Sequence, residues 1–412
     1  MLQKTEIALV ALVIVGTFGI HQYTQHATAT EISDVYTTIE NQETIREDVP
    51  ITEEEFANIE NCSAAIVGSR NRAEECMRNF YDEYTMQHGG DKAFAHLARL
   101  QKEHPNLLPG CHYISHGIGH AMLRLGGNDP FKAFTFLEQH EVFKNVITCG
   151  NGYFHGVIEE LAKDTQDKDE LVALLNPICS SNEIQNRGNC YHGVGHAAMI
   201  QTEYSIPDML YICDRISSRP EDIFGCHTGG FMEHAQAHTD DVLVKDQKMS
   251  FTICDAQEPK YQAACYLEHS SHFEAFSSDP RNYTRNIGFC KQIENDINRM
   301  ACIKLFAIRA VRIARYPEVR EMCLNTSSRY ERVMCTAVMA DRIAGSADKS
   351  RATEDYHERV RAICATMNPV FAEQCAYLVY EGGKRLFYTS DADLHFSTPD
   401  ELQLESKVLE LL

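Results

Sequence analysis

The chain has 412 residues, 44% of them hydrophobic and 24% charged, with a net charge of −21. That length exceeds one ordinary globular core, although the composition is that of a folded protein. The acidic balance, with no basic stripe, excludes a nucleic-acid surface, because phosphate binding needs clustered Lys and Arg.

Residues 6–20 follow Lys4 and are almost wholly apolar. The run is short for a full bilayer span and fits the core of a signal peptide, with Ala27-Thr28-Ala29 as a small-x-small cleavage site. Residues 1–29 are therefore read as a signal peptide or, uncleaved, as an N-terminal anchor that makes the chain's one membrane contact. Both readings place the body outside the cytoplasm, secreted or anchored. Residues 30–55 are polar and acidic and read as a linker.

From residue 56 to residue 381 the sequence repeats. A cysteine is expected to open a helix nine times, at Cys76, Cys111, Cys149, Cys190, Cys226, Cys265, Cys302, Cys335 and Cys375, in steps of 33 to 41 residues. Such a step is the length of two short helices and two turns, the unit of an α-solenoid or toroid. Apolar residues recur at helical spacing within it, as in Phe94, Leu97, Ala98 and Leu100. Ser218-Arg219-Pro220, Ser278-Asp279-Pro280 and Gly382-Gly383 read as turns. The expectation is an all-α array of about nine helical hairpins.

Sixteen cysteines in an exported chain predict disulfides. Cys62/Cys76, Cys179/Cys190, Cys213/Cys226, Cys254/Cys265, Cys290/Cys302, Cys323/Cys335 and Cys364/Cys375 lie 11 to 14 residues apart. In each pair the first cysteine closes an amphipathic run and the second begins the next, so each bridge would staple a hairpin. Cys111 and Cys149 remain, and they could link neighbouring repeats. No CxxC spacing points to zinc instead.

Histidine is concentrated in the middle copies. Twelve of the nineteen lie between His112 and His272. Three consecutive copies carry His116-Gly117-Ile118-Gly119-His120, His155-Gly156-Val157-Ile158-Glu159 and His192-Gly193-Val194-Gly195-His196, whereas the copies opened by Cys302, Cys335 and Cys375 keep the cysteine without the histidine. Forming the repeat therefore does not require the histidines. Residues at i and i+4 share a helix face, the spacing by which two side chains on one helix bind one metal ion. His112 extends the first row, and Glu233 with His234 follows Gly229-Gly230 in the next copy. The mid-helix glycines each cost ~1 kcal/mol against alanine, which predicts close approach of a backbone or a ligand.

The repeat length and the staple resemble Sel1-like and tetratricopeptide arrays, particularly the secreted kind with one disulfide per helical pair. The resemblance implies a solenoid. It does not extend to the motifs, because the glycine and alanine signature of those arrays is not reproduced and the cysteines here stand further apart.

Residues 382–412 read as a tail, in which 399–412 could form a last amphipathic helix. For function, two readings stand. In the first, His112, His116, His120, His155, His192, His196 and His234 supply ligands to a divalent transition metal (zinc, iron or copper), and Glu159, Glu160 or Glu233 acts as carboxylate ligand or general base of a metal-dependent enzyme. In the second, the concave face of the array is a scaffold for a protein or a small-molecule ligand. No CxxCH haem attachment, GxSxG elbow, P-loop or GxGxxG is present.

Overall fold

A computed structural model describes residues 51–64, 70–103, 111–139, 150–184, 187–239, 249–272, 283–313, 316–347, 354–367 and 369–387. Among these residues there are eighteen α-helices and no strand. They are α1 (Glu53–Ala64), α2 (Arg70–His88), α3 (Gly90–Glu103), α4 (Cys111–Leu125), α5 (Pro130–Gln139), α6 (Gly150–Ala162), α7 (Lys168–Cys179), α8 (Arg187–Gln201) and α9 (Ile206–Cys213). There follow α10 (Pro220–Ala237), α11 (Met249–Asp255), α12 (Pro259–His269), α13 (Tyr283–Cys290), α14 (Asp296–Ile313), α15 (Tyr316–Leu324), α16 (Arg329–Ala347), α17 (Glu354–Met367) and α18 (Ala372–Phe387).

The even-numbered helices form a continuous inner wall, in which each packs on the next from α2 to α18. The odd-numbered helices lie behind it and brace the inner helix that follows. This is a disulfide-stapled helical solenoid. The coil turns tightly: Tyr113 Oη on α4 donates to Met232 O on α10, 3.3 Å away and three inner helices further on.

Several outer helices are short. α9 and α13 have 8 residues and α11 has 7, too few for stability in isolation. Buried side chains such as Met209, Ile212 and Ile287 hold them against the wall. All seven expected hairpin bridges are formed, and each joins the end of an outer helix to the inner helix that follows. Closing loops of this length restricts the unfolded chain by on the order of 3 kcal/mol per bridge. Cys111 is also disulfide-bonded; its expected partner Cys149 lies outside the described residues. No cysteine among the described residues is free, which is the chemistry of an oxidising compartment.

Two details depart from the sequence reading. Cysteines begin the inner helices less often than expected: Cys111 is the first residue of α4, but Cys226, Cys265, Cys302 and Cys335 lie about two turns inside theirs. The polar residues before them join the inner helix, often from a leading proline such as Pro220 or Pro259, whose missing N–H costs nothing in a first turn. Gly382-Gly383, read as a turn, lie inside α18. No helix among the described residues is long and apolar enough to cross a membrane. The apolar segment 6–20, most of the linker 30–55 and the expected helix 399–412 lie outside them.

The mid-helix glycines mark where inner helices touch backbone to backbone. A Cβ at Gly119 would come under 3.0 Å from Tyr153 O and Val157 N of α6, while Gly152 and Gly156 of α6 meet His112 O and His116 O of α4 just as closely. The same reciprocal contact recurs between Gly195 of α8 and Cys226 O, and between Gly229 of α10 and His192 O. The close partner is a neighbouring backbone.

Glycine-to-alanine changes here should therefore reverse their usual sign. Gly119→Ala and Gly195→Ala are expected to lower stability by ~1–3 kcal/mol through forced separation of the helices. Gly288→Ala in α13, which has no neighbour within 4 Å, should raise it by ~0.5–1 kcal/mol. Denaturant midpoints of the three variants check this. Peptide mapping without reductant should recover the seven hairpin bridges together with Cys111–Cys149.

Candidate metal centre

The close contacts set α4 against α6, and α8 packs on α6 in turn, so that their histidine rows meet. His112, His116 and His120 stand on one face of α4, His155 and Glu159 on one face of α6, and His192 and His196 on one face of α8, each row at the i, i+4 spacing. Three groups of side chains bring ligand atoms within 4.8 Å of one another: His112, His116 and His155; His155, His192 and His196; and His116, Glu159 and His196.

The interior of the cluster is closed to bulk solvent. His116 and His196 are 0% exposed, and His155 and Glu159 are also buried. Three of the rings are held from one side. His155 Nδ1 lies 3.2 Å from His112 Nε2, His192 Nδ1 2.9 Å from Thr228 Oγ1, and His196 Nδ1 2.9 Å from Glu233 Oε2. Tyr204 Oη donates to the other oxygen of Glu233 at 3.4 Å. His116 Nδ1 lies 2.9 Å from Glu159 Oε1 without the alignment of a hydrogen bond. The second nitrogens of His116, His155 and His196 (Nε2 in each) are buried and have no hydrogen-bond partner. One such orphan costs about 1–3 kcal/mol, and native structures rarely leave buried polar groups unpaired. Here three imidazole nitrogens and a carboxylate oxygen are left so in one place, which is the donor chemistry of a metal centre.

Burial sets the protonation state. It lowers the imidazole of His116, an effect that Glu159 partly offsets, and it holds His155 and His192 well below the ordinary histidine value, with repulsion from neighbouring histidines adding to it. Burial alone would raise the Glu159 carboxyl, but contacts with His116 and His120 outweigh it and hold the group well below the carboxylate range. Burial thus favours the neutral imidazole at His155 and His192, the form a metal ion requires, beside a carboxylate held ionised.

Not every expected ligand joins the cluster. His120 stands beside it, with Nε2 3.1 Å from Glu159 Oε2 and Nδ1 3.8 Å from Asp82 Oδ2 of α2. His234 belongs to a separate group, stacked on His238 with ring centroids 4.1 Å apart and 5.2 Å from His269. Of the three carboxylates, Glu159 enters the cluster, Glu233 grips His196 from behind, and Glu160 turns away to Arg124 Nη1 at 3.0 Å and Lys163 Nζ at 2.5 Å. Asp82, Thr228 and Tyr204 are supporting residues that the sequence reading missed. Thr228 carried a usable signal, because it follows Cys226 at the offset at which His192 follows Cys190. Comparison with protein-family models, with curated proteins and with solved structures finds no match, so the meaning of the centre rests on its geometry.

A pH dependence follows for the metal-free protein. His116, His155 and His192 have folded values below their unfolded value of about 6.5. The unfolded chain therefore takes up more protons as pH falls, so their contribution is complete above pH ~6.5 and is lost progressively below it. Melting temperature should be level from about pH 8 to 7 and decline from about pH 6.5 to 5. His155→Asn should flatten that slope.

Proposed function

We propose that the protein is an extracytoplasmic metalloprotein whose centre binds a divalent transition metal through histidines of α4, α6 and α8 together with Glu159. The observation that carries this reading is that His116, His155 and His196, each with a buried and unpartnered Nε2, belong to overlapping groups of side chains whose ligand atoms lie within 4.8 Å of one another, one of which includes Glu159. Imidazole with carboxylate suits zinc, iron or copper, whereas calcium and magnesium take oxygen ligands. Glu233 and Thr228 fix the rings of His196 and His192 from behind, the second layer of contacts by which proteins orient metal ligands.

The carboxylates favour holding a metal over hydrolysis. A general base needs an oxygen free to take a proton from bound water. Glu159 is buried, with Oε2 on His120 and Oε1 wedged 2.9 Å from His116, Glu233 is engaged by His196 and Tyr204, and Glu160 is in an ion pair with Arg124 and Lys163. These contacts support storage, transfer or redox use of the ion, with Glu159 as ligand and Glu233 as a positioning residue.

Elemental analysis of protein purified without chelators should find stoichiometric zinc, iron or copper. EDTA should then lower the melting temperature, since an ion at a hundred times its dissociation constant contributes about 2.7 kcal/mol. His196→Ala should abolish the EDTA effect, Glu233→Gln should weaken affinity ~10–100-fold, and His357→Ala on α17 should change neither. A wild type that binds no metal and ignores EDTA would overturn the centre, and the scaffold reading would then replace it, with a protein or small-molecule ligand on the concave face.

A further inference from the structure

The three ligand groups overlap in a regular way, since any two share one histidine: His155, His116 or His196. Six residues in all contribute, more than the four ligands that close a tetrahedral site.

His155 sits at the hub. Its ring centroid lies 4.8 Å from that of His112 and 5.5 Å from that of His116 on one helix, and 4.8 Å from that of His192 and 4.7 Å from that of His196 on another. It is the single member common to the His112/His116 group and the His192/His196 group. Its two nitrogens are differently placed: Nδ1 lies 3.2 Å from His112 Nε2, and Nε2 is buried without a partner. Two nitrogens bound to one tetrahedral ion at ~2.0–2.1 Å stand about 3.3 Å apart. The observed 3.2 Å is therefore also the separation of two donors on a common ion.

Building on the metal reading above, we propose that the cluster holds two transition-metal ions bridged by the imidazole of His155. One ion is completed by His112 and His116, the other by His192 and His196. Each nitrogen of His155 then donates one lone pair, and the remaining ring proton leaves to solvent when the second ion binds. Glu159 lies against both halves, with Oε1 2.9 Å from His116 Nδ1 and 3.9 Å from His196 Nδ1, and its negative charge offsets part of the added positive charge.

The test titrates metal-free full-length protein with copper(II), reading bound metal by elemental analysis after desalting and spin by electron paramagnetic resonance. The wild type should take up about two equivalents, as two three-histidine sets require. The integrated signal should then fall below its value at one equivalent, because a shared imidazolate couples the two spins. His192→Ala removes a ligand from one half only and should retain about one equivalent with a full, uncoupled signal; His155→Ala should lose the coupling altogether. Saturation at one equivalent, or two equivalents with additive signals, overturns the bridge and leaves the metalloprotein reading intact. No bound copper, with a cooperative melt showing the fold preserved, overturns both.

Discussion

Everything at the centre depends on how closely the inner helices approach. At the crossings of α4 with α6 and of α8 with α10, a neighbour's carbonyl occupies the space where a Cβ would otherwise stand. Ordinary helix pairs are held 8–10 Å apart by their side chains. With side chains absent at the crossing, rows anchored on different helices can place their nitrogens about 3 Å apart, as His112 and His155 do. A methyl group at such a crossing would act on the cluster without touching its side chains.

The same closeness shuts out bulk solvent, and burial then acts in one direction throughout the inner wall. It lowers the imidazoles of His116, His155 and His192, raises the phenol of Tyr113 beside Glu233, Glu74 and Glu268, and pushes the Glu268 carboxyl up to about 7 against Arg309 and His196. Glu159 is the exception: His116 and His120 together outweigh its burial. One buried environment therefore favours neutral imidazoles beside a single ionised carboxylate.

A buried cluster of unpaired nitrogens destabilises the fold that contains it. The disulfides offset this by restricting the unfolded chain at seven of the hairpins. Inner helices α14, α16 and α18 carry the staple without histidine, and their small buried residues are alanines such as Ala307, Ala337 and Ala376. The array thus separates its two tasks: the staple recurs with and without histidine, and the histidine-glycine pattern marks the middle repeats.

The sequence by itself determined the helical class, the hairpin staples and the rows of histidine and glutamate, because each depends on local spacing: 11 to 14 residues between bridged cysteines and four between residues on one helix face. It located Glu159 and five histidines of the cluster for that reason. It misplaced the helix starts, since a cysteine marks where two helices meet rather than where one begins. Only the tertiary structure decided which rows face one another. Whether His234 joins His196 or His269, whether Glu160 turns inward or toward Arg124, and which ring Thr228 steadies are set by the twist between neighbouring helices, a property of the packed array that no single segment encodes.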